Sequence, residues 1–212
     1  MRLLLFIPMF VGLLLQAQTA DDPVAAFFNH SALEEPVHSY IGSQRLEGTW
    51  SGLSGWIEAS TEFSNGIFSY KVVGEGGSTL VINKALKPIL EEECQPRKPE
   101  MSAFSGNNYD ISLDRLDGND LTMLRLQPRR KDKDLIDGYV FIRQNGDLVR
   151  VEGSSAKSHS FWTFNEKVTR YYDHIAGARV PVRMVSSAVL FFKPSSLVLD
   201  YNYNKINGRK IK

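Results

Sequence analysis

A single cysteine among 212 residues excludes an internal disulfide framework and any zinc cluster built from cysteines. No sign of charge predominates, with 25 Lys+Arg against 24 Asp+Glu, so the basic footprint of a dedicated nucleic-acid binder is missing. No apolar run is long enough to cross a bilayer as a helix. The longest spans residues 3–15 and is interrupted by Pro8 and Gly12, well short of the roughly 20 residues such a helix needs. Internal repeats and low-complexity stretches are missing too. What remains is ordinary globular material, 42% hydrophobic and 11% aromatic, enough for the core of one domain.

The first twenty residues read as an export signal. Met1-Arg2 is a short basic start, the run 3–15 fits a signal-peptide core, and Gln16-Ala17-Gln18-Thr19-Ala20 is a small-residue segment suited to cleavage. No cysteine follows it, which excludes a lipoprotein anchor at that point. The expected product is one domain covering residues 21–212, exported and periplasmic. Its lone Cys94 follows Glu91-Glu92-Glu93, whose negative charge disfavours the thiolate.

Beyond the leader, strand signals dominate. Asp22-Pro23 before Val24-Ala25-Ala26-Phe27-Phe28 is an N-cap and first-turn proline opening a short helix. A second helix is expected between Ser78 and Glu93, with Val81, Ala85, Leu86, Ile89 and Leu90 on one stripe and Pro88 kinking it. Asn65-Gly66 predicts a two-residue hairpin that sets Phe63 opposite Phe68, Thr61 opposite Tyr70 and Ala59 opposite Val72. Asn145-Gly146 predicts another, pairing Ile142 with Val149 and Val140 with Val151 on an aliphatic face. Further strands are expected over 158–172, 182–192 and 197–204, with breaks at 173–181 and at Lys193-Pro194-Ser195-Ser196.

Catalytic signatures are weak. Histidines at 30, 38, 159 and 174 lack the short spacings of a metal site, so no metal is expected. Asp173-His174 falls in an expected turn, where a polar pair needs no further role. Ser154-Ser155-Ala156-Lys157 matches the Ser-x-x-Lys pattern of serine acyl-enzymes. That pattern opens a helix, whereas here it follows a strand, and the partner motifs are missing. Gly74-Glu75-Gly76-Gly77-Ser78 lacks the Lys-Ser/Thr of a phosphate loop. The charge run Arg129-Arg130-Lys131-Asp132-Lys133-Asp134 reads as a solvated loop between strands. Its functional alternative is a docking point for an envelope protein or a lipid headgroup.

One ordered string of segments is distinctive. Tyr109-Asp110-Ile111-Ser112-Leu113, Leu126-Gln127-Pro128-Arg129-Arg130-Lys131-Asp132-Lys133 and Asp137-Gly138-Tyr139-Val140-Phe141-Ile142 come first. Leu148-Val149-Arg150-Val151-Glu152-Gly153, Lys157-Ser158-His159-Ser160-Phe161-Trp162 and Arg179-Val180-Pro181-Val182 follow. Over about residues 105–205 the chain resembles the bacterial outer-membrane lipoprotein-sorting proteins, in an uncharacterised branch related in fold to the LolA carrier. The resemblance implies an α+β, LolA-like unclosed β-barrel: a curved antiparallel sheet with helices covering its concave face.

It also implies an apolar cavity for an acyl chain, lipid or lipoprotein, in a monomer without cofactor or covalent chemistry. On that reading the walls comprise Ile57, Phe63, Phe68, Tyr70, Val140, Ile142, Leu199 and Tyr201, with Leu86 and Leu90 approaching from the kinked helix. No ligand-gating arginine is carried over; Arg45 lies in the right general region, but no local motif anchors it. Two rivals stand beside the carrier: an envelope interaction or stress-sensing module with a filled interior, and a Ser-Lys hydrolase through Ser154 and Lys157. The export signal makes the first prediction. N-terminal sequencing of protein recovered from the periplasm is expected to begin near Asp21, and an intact Met1 in the cytoplasm would contradict it.

Overall fold

Asp22 and Pro23 begin the first helix as their chemistry requires. In the computed structural model, which describes residues 22–64, 66–93, 104–117, 120–132, 135–157 and 163–211, the Asp22 carboxylate accepts from the Val24 N–H at 3.0 Å. Helix α1 (Pro23–Leu33) follows, with Phe27 fully buried on its inner side. The leader and Cys94 lie outside the described residues.

The remainder is chiefly antiparallel sheet. In chain order its strands are β1 (Ser39–Trp50), β2 (Leu53–Ser64), β3 (Ile67–Gly77), β4 (Tyr109–Asp117), β5 (Leu121–Pro128), β6 (Ile136–Ile142), β7 (Leu148–Ser155), β8 (Thr163–Ile175), β9 (Ala178–Leu190), β10 (Lys193–Ile206) and β11 (Arg209–Lys210). The spatial order is β3-β2-β1-β10-β9-β8-β7-β6-β5-β4, with β11 on β10. The path is a meander except where β1 pairs with β10, which joins the N-terminal strands to the C-terminal ones. It ends at β3 and β4 and does not close, so the sheet is the curved, unclosed one expected. Among the described residues six register shifts interrupt the ladders, and bulges of this kind bend a strand and raise its twist.

Between β3 and β4 the chain makes the helical cover: α2 (Thr79–Val81), a π-helical turn over Ile82–Leu86, and α3 (Lys87–Glu93). The kink expected at Pro88 is therefore a widened turn immediately before it. The Lys87 N–H donates to the Ile82 carbonyl, five residues back. Proline has no N–H, and its ring displaces the carbonyl four residues earlier; widening the preceding turn accommodates both.

The first Asn-Gly hairpin has the expected register, Phe63 opposite Phe68, Thr61 opposite Tyr70 and Ala59 opposite Val72. The second does not. Ile142 pairs with Leu148, not with Val149, while Val140 keeps its expected partner Val151. Gly146 donates to the Arg143 carbonyl and Arg143 donates to the Asp147 carbonyl, each at 2.9 Å. Gly146 has φ +87°, while Asn145 stays out of the positive-φ region. This is a type I turn followed by a left-handed glycine, a three-residue loop in place of the two-residue one. It moves the register by one, and a bulge at Val149 moves it back.

Two breaks also move. His174 and Asp173 belong to β8, and the turn that follows is Ala176-Gly177, both residues having positive φ. Lys193-Pro194-Ser195-Ser196 begins β10, and the reversal falls on Phe191-Phe192, at φ 51° and 61°. Two-residue primed turns suit the twist of the flanking strands whatever side chains they carry, and here geometry overrides turn propensity. A third Asn-Gly turn, Asn207-Gly208, joins β10 to β11.

The core divides into three. Phe27 packs with Leu124, Leu126, Leu135, Val140, Ile142, Leu148 and Val151 under α1. Leu46, Ile57, Ala59, Met184 and Leu199 pack under Val81, Ile82, Leu86 and Leu90 of the second cover. Ala178, Val180 and Ile206 form a smaller group.

Gly146 sits directly beneath α1. A Cβ there would lie 2.3 Å from the Ala26 carbonyl oxygen, whereas Gly208, at similar φ, has nothing within 4 Å. Gly208→Ala is expected to cost about 1 kcal/mol, the ordinary left-handed penalty. Gly146→Ala should cost clearly more, because the helix must also move, and urea denaturation of the two variants measures the difference.

Candidate functional site

The ten residues expected on one wall fall into separate places. Ile57, Leu86, Leu90 and Leu199 meet in the core under the second cover, with Tyr70 and Tyr201 packed at its edge. Val140 and Ile142 belong to the other core, under α1. Phe63 and Phe68 face one another at the far end of β2 and β3. The Tyr40 ring stacks on Phe63 at 5.6 Å and lies 6.2 Å from Phe68.

Burial decides what this interior is in the described conformation. Ile57, Leu86, Leu90, Leu199 and Val140 have 0% accessible surface and Ile142 has 1%. No water-sized sphere touches the first five, so sheet and cover are in direct contact. Gly48 explains how the cover comes so close. A Cβ on this β1 residue would lie 2.8 Å from the Leu86 Cδ2, so only glycine lets that leucine lie flat on the strand. The expected stripe omitted Ile82, which stands one turn before Leu86 on the same face and is buried with it.

Between the two apolar cores the inner face carries polar groups. Arg170 stands opposite Met184 in the β8–β9 ladder, and its Nη2 lies 3.5 Å from the Met184 Sδ. Gln44 on β1 is 2% exposed, with an amide oxygen that has no hydrogen-bond partner. The Tyr203 hydroxyl donates to the Pro181 carbonyl at 2.8 Å, and burial raises its pKa well above the usual phenol value. None of these inward polar residues was legible, because alternation along a strand gives facing but not which polar residue the closed sheet will bury.

Arg45, by contrast, is on the outer surface. It alternates with buried Leu46, its Nε donates to the Glu47 carboxylate at 2.8 Å, and its guanidinium lies 4.5 Å from the centre of the Trp56 ring. The convex side also has a shallow cleft of about 400 Å³ between Asp114, Arg115, Met123, Tyr139, Phe141, Arg150 and Glu152. Arg150 fills part of that surface with its own contacts, 3.8 Å from the Phe141 ring centre and 2.6 Å from the Glu152 Oε1.

The charge run after β5 is largely engaged within the chain. Arg129 donates to Asp110 at 2.5 and 3.0 Å, and Arg130 to the Asn108 side chain at 2.6 Å. Lys131 is exposed, and Lys133 lies outside the described residues. Ser154 is a strand residue, opposite Asp137 in the β6–β7 ladder, so the helix start that a Ser-x-x-Lys nucleophile requires is not formed there.

No family model and no curated protein matches the chain. Among solved structures it is similar to a LolA superfamily protein from Nitrosomonas europaea, with a TM-score of 0.45 and 12% identity over 90% of this chain and 95% of that one. It is also similar to a domain named for outer membrane lipoprotein sorting from Vibrio parahaemolyticus (TM-score 0.42, 11% identity, 87% and 91% covered). A DUF1329 family protein from Desulfovibrio piger is a third (TM-score 0.40, 10% identity, 84% and 89% covered). At these identities the likeness is one of fold alone.

The closed seam makes a stability prediction. Leu86→Ala is expected to cost about 2–5 kcal/mol, the range for emptying a fully packed leucine site. Ile67→Ala, at a side chain 73% exposed, should stay within about 0.5 kcal/mol in the same denaturation experiment.

Proposed function

We propose that this protein is an exported, periplasmic binder or carrier of an acyl chain, lipid or lipoprotein, which it holds between the concave sheet and the helical cover. The observation that carries this reading is the character of the seam. Val81, Ile82, Leu86 and Leu90 meet Leu46, Ile57, Ala59 and Leu199 through apolar contact, under a cover divided by a π turn at a proline. At its margin Lys87 reaches Glu75 at 3.1 Å, with both side chains part-exposed, where an ion pair contributes little. Such a seam exchanges one apolar partner for another at low cost. The motif string over residues 105–205 supports the same class of ligand.

Because the interior is closed, the ligand has to take the place of the cover. An acyl chain gains roughly 0.8 kcal/mol per methylene buried, so about ten methylenes give roughly 8 kcal/mol. From that the cost of lifting α2 and α3 and of immobilising the chain is subtracted. The longer the chain, the more readily the exchange proceeds. Hydrolysis has no part in this reading, since Ser154 is tied into the β6–β7 ladder.

Complete burial of the seam also favours a second reading, an envelope interaction module whose interior stays filled. Ligand binding separates the two. Mature protein isolated from a bacterial periplasm is expected to carry lipid or acylated peptide in native mass spectrometry, and to bind a fluorescent fatty acid that phospholipid displaces. Folded protein that carries and binds none of these would overturn the carrier reading in favour of the filled module. Arg45→Ala should leave the affinity for the fluorescent fatty acid within about twofold, since that side chain lies on the opposite surface.

A further inference from the structure

Histidines that sequence spacing kept apart are brought together by the fold. His30 lies in the last turn of α1, Glu34 caps its end, Asp147 follows the β6–β7 turn and His174 is near the end of β8. One donor atom from each lies within 4.8 Å of all the others. His30 Nε2 is 3.8 Å from both the Glu34 Oε1 and the Asp147 Oδ1. His174 sets its Nδ1 3.0 Å from the Asp147 Oδ1 and its Nε2 3.4 Å from the Glu34 Oε1.

We propose that His30, Glu34, Asp147 and His174 form a binding site for a divalent transition-metal ion of the zinc class.

Three facts carry this. First, the His30 Nε2, the Glu34 Oε1 and the Asp147 Oδ1 are all buried, and none has a hydrogen-bond partner. Asp147 is only 6% exposed, so its inward oxygen has no recourse to water. Three buried polar atoms gathered in one place without a hydrogen bond are costly, although His174 stands 3.0 Å from the Asp147 oxygen and 3.4 Å from the Glu34 one.

Second, each carboxylate is oriented by an arginine on its other oxygen. Arg179 Nη2 is 2.6 Å from the Glu34 Oε2, and Arg143 pairs with the Asp147 Oδ2. Outer partners that fix a ligand and leave its free oxygen inward are the usual second layer of a metal site.

Third, the distances fit the ion's coordination chemistry. Four ligands at 2.0–2.2 Å in a tetrahedron stand about 3.3–3.6 Å apart, against 3.8 Å from His30 Nε2 to each carboxylate, 3.0 Å from His174 Nδ1 to Asp147, and 4.8 Å at most among the four donors; two imidazoles with two carboxylates suit zinc and its neighbours better than calcium or magnesium. An ion pair alone leaves the His30 nitrogen unused, since 3.8 Å is beyond hydrogen-bond reach. The site fastens the end of α1 to the β6–β7 turn and to β8, three separate segments. It is independent of whether the interior takes an acyl chain.

The test uses the mature protein, stripped with chelator and dialysed, with Zn²⁺ and Co²⁺ as probes. Zinc is expected to bind at one ion per chain by calorimetry and to raise the thermal midpoint, whereas Mg²⁺ and Ca²⁺ should do neither. Bound Co²⁺ should show the visible absorbance of a four-coordinate ion. Asp147→Asn and His174→Ala should each weaken zinc binding by at least 100-fold. Arg179→Gln, acting only through Glu34, should weaken it about 10-fold. His38→Ala, outside the cluster, should leave it unchanged. If an altered ligand unfolds the chain, Glu34→Gln, close to isosteric, takes its place, with circular dichroism confirming the fold. No binding to folded wild-type protein would overturn the proposal and leave the cluster an ion-pair network. Binding that persists at full strength in the folded ligand variants would overturn it equally.

Discussion

A ten-strand antiparallel path with one apolar face cannot stay flat and wet. The inner side chains of β1, β2, β5, β6, β7 and β10 include Leu46, Ile57, Leu124, Val140, Val151 and Leu199, all without accessible surface. To hide them the sheet has to curl, and whatever the curl leaves open has to be covered. Strongly twisted open sheets of this width curl or split. This one curls, and the bulges at Ile41, Glu58, Leu113, Phe141, Phe164 and Tyr171 distribute the bending over both halves. Among the described residues only two helical segments are available as covers, α1 for one half and α2 to α3 for the other. The two main cores, their separation and the position of any ligand all follow from that shortage of helix.

The covers are fastened differently. The second is held by shape: Gly48 leaves room for Leu86, and Val81, Ile82 and Leu90 complete an apolar contact. The first is held by shape and charge together. Phe27 is the apolar anchor, Gly146 admits the helix backbone, and beyond it His30 and Glu34 enter the cluster with Asp147, His174 and Arg179. A side-chain network also fixes the segment after α1. Asn207 accepts from the N–H groups of His38 and Ser39 and donates to the Glu35 Oε1 and the Pro36 carbonyl. Arg209 adds an ion pair to Glu35 at 2.9 Å.

The sheet was largely legible because its signals are local. Asp22-Pro23 names a helix start, and alternation from Ile57 to Val72 names a hairpin with one buried face. The second hairpin misled because Asn-Gly serves two loops. Its one-residue difference depends on Gly146 meeting α1, a contact from 120 residues away in sequence. The Phe191-Phe192 turn carries no turn residue at all. Both phenylalanines take left-handed backbone because β9 and β10 are paired up to Leu190 and Lys193, leaving two residues to reverse the chain. The histidine cluster was illegible for a third reason. Its members stand at 30, 34, 147 and 174, and only closure of the sheet onto α1 brings those positions to one point. Spacing rules detect sites built on one helix or loop, not sites assembled by topology.

The difference between the covers constrains how the interior opens. Moving α1 separates charges that are held in a largely buried setting, where a removed partner leaves an uncompensated group and the loss is large. Moving α2 and α3 breaks apolar contacts that an entering chain restores, plus one part-exposed ion pair of little strength. The π turn lies where that movement would bend the helix, and its widened bonding, seen in the five-residue bond from Lys87 to Ile82, interrupts the α-helical ladder of the cover. On the carrier reading, then, ligand enters over Ile57 and Leu199 with the second cover displaced, while α1 stays fixed over Val140 and Ile142. The half of the sheet under α1 would then serve as a permanent core, and only the half under Leu86 and Leu90 would exchange its apolar partner. On that reading six of the ten residues first expected on one wall divide by role: Val140 and Ile142 would hold the fold, and Ile57, Leu86, Leu90 and Leu199 would meet the ligand.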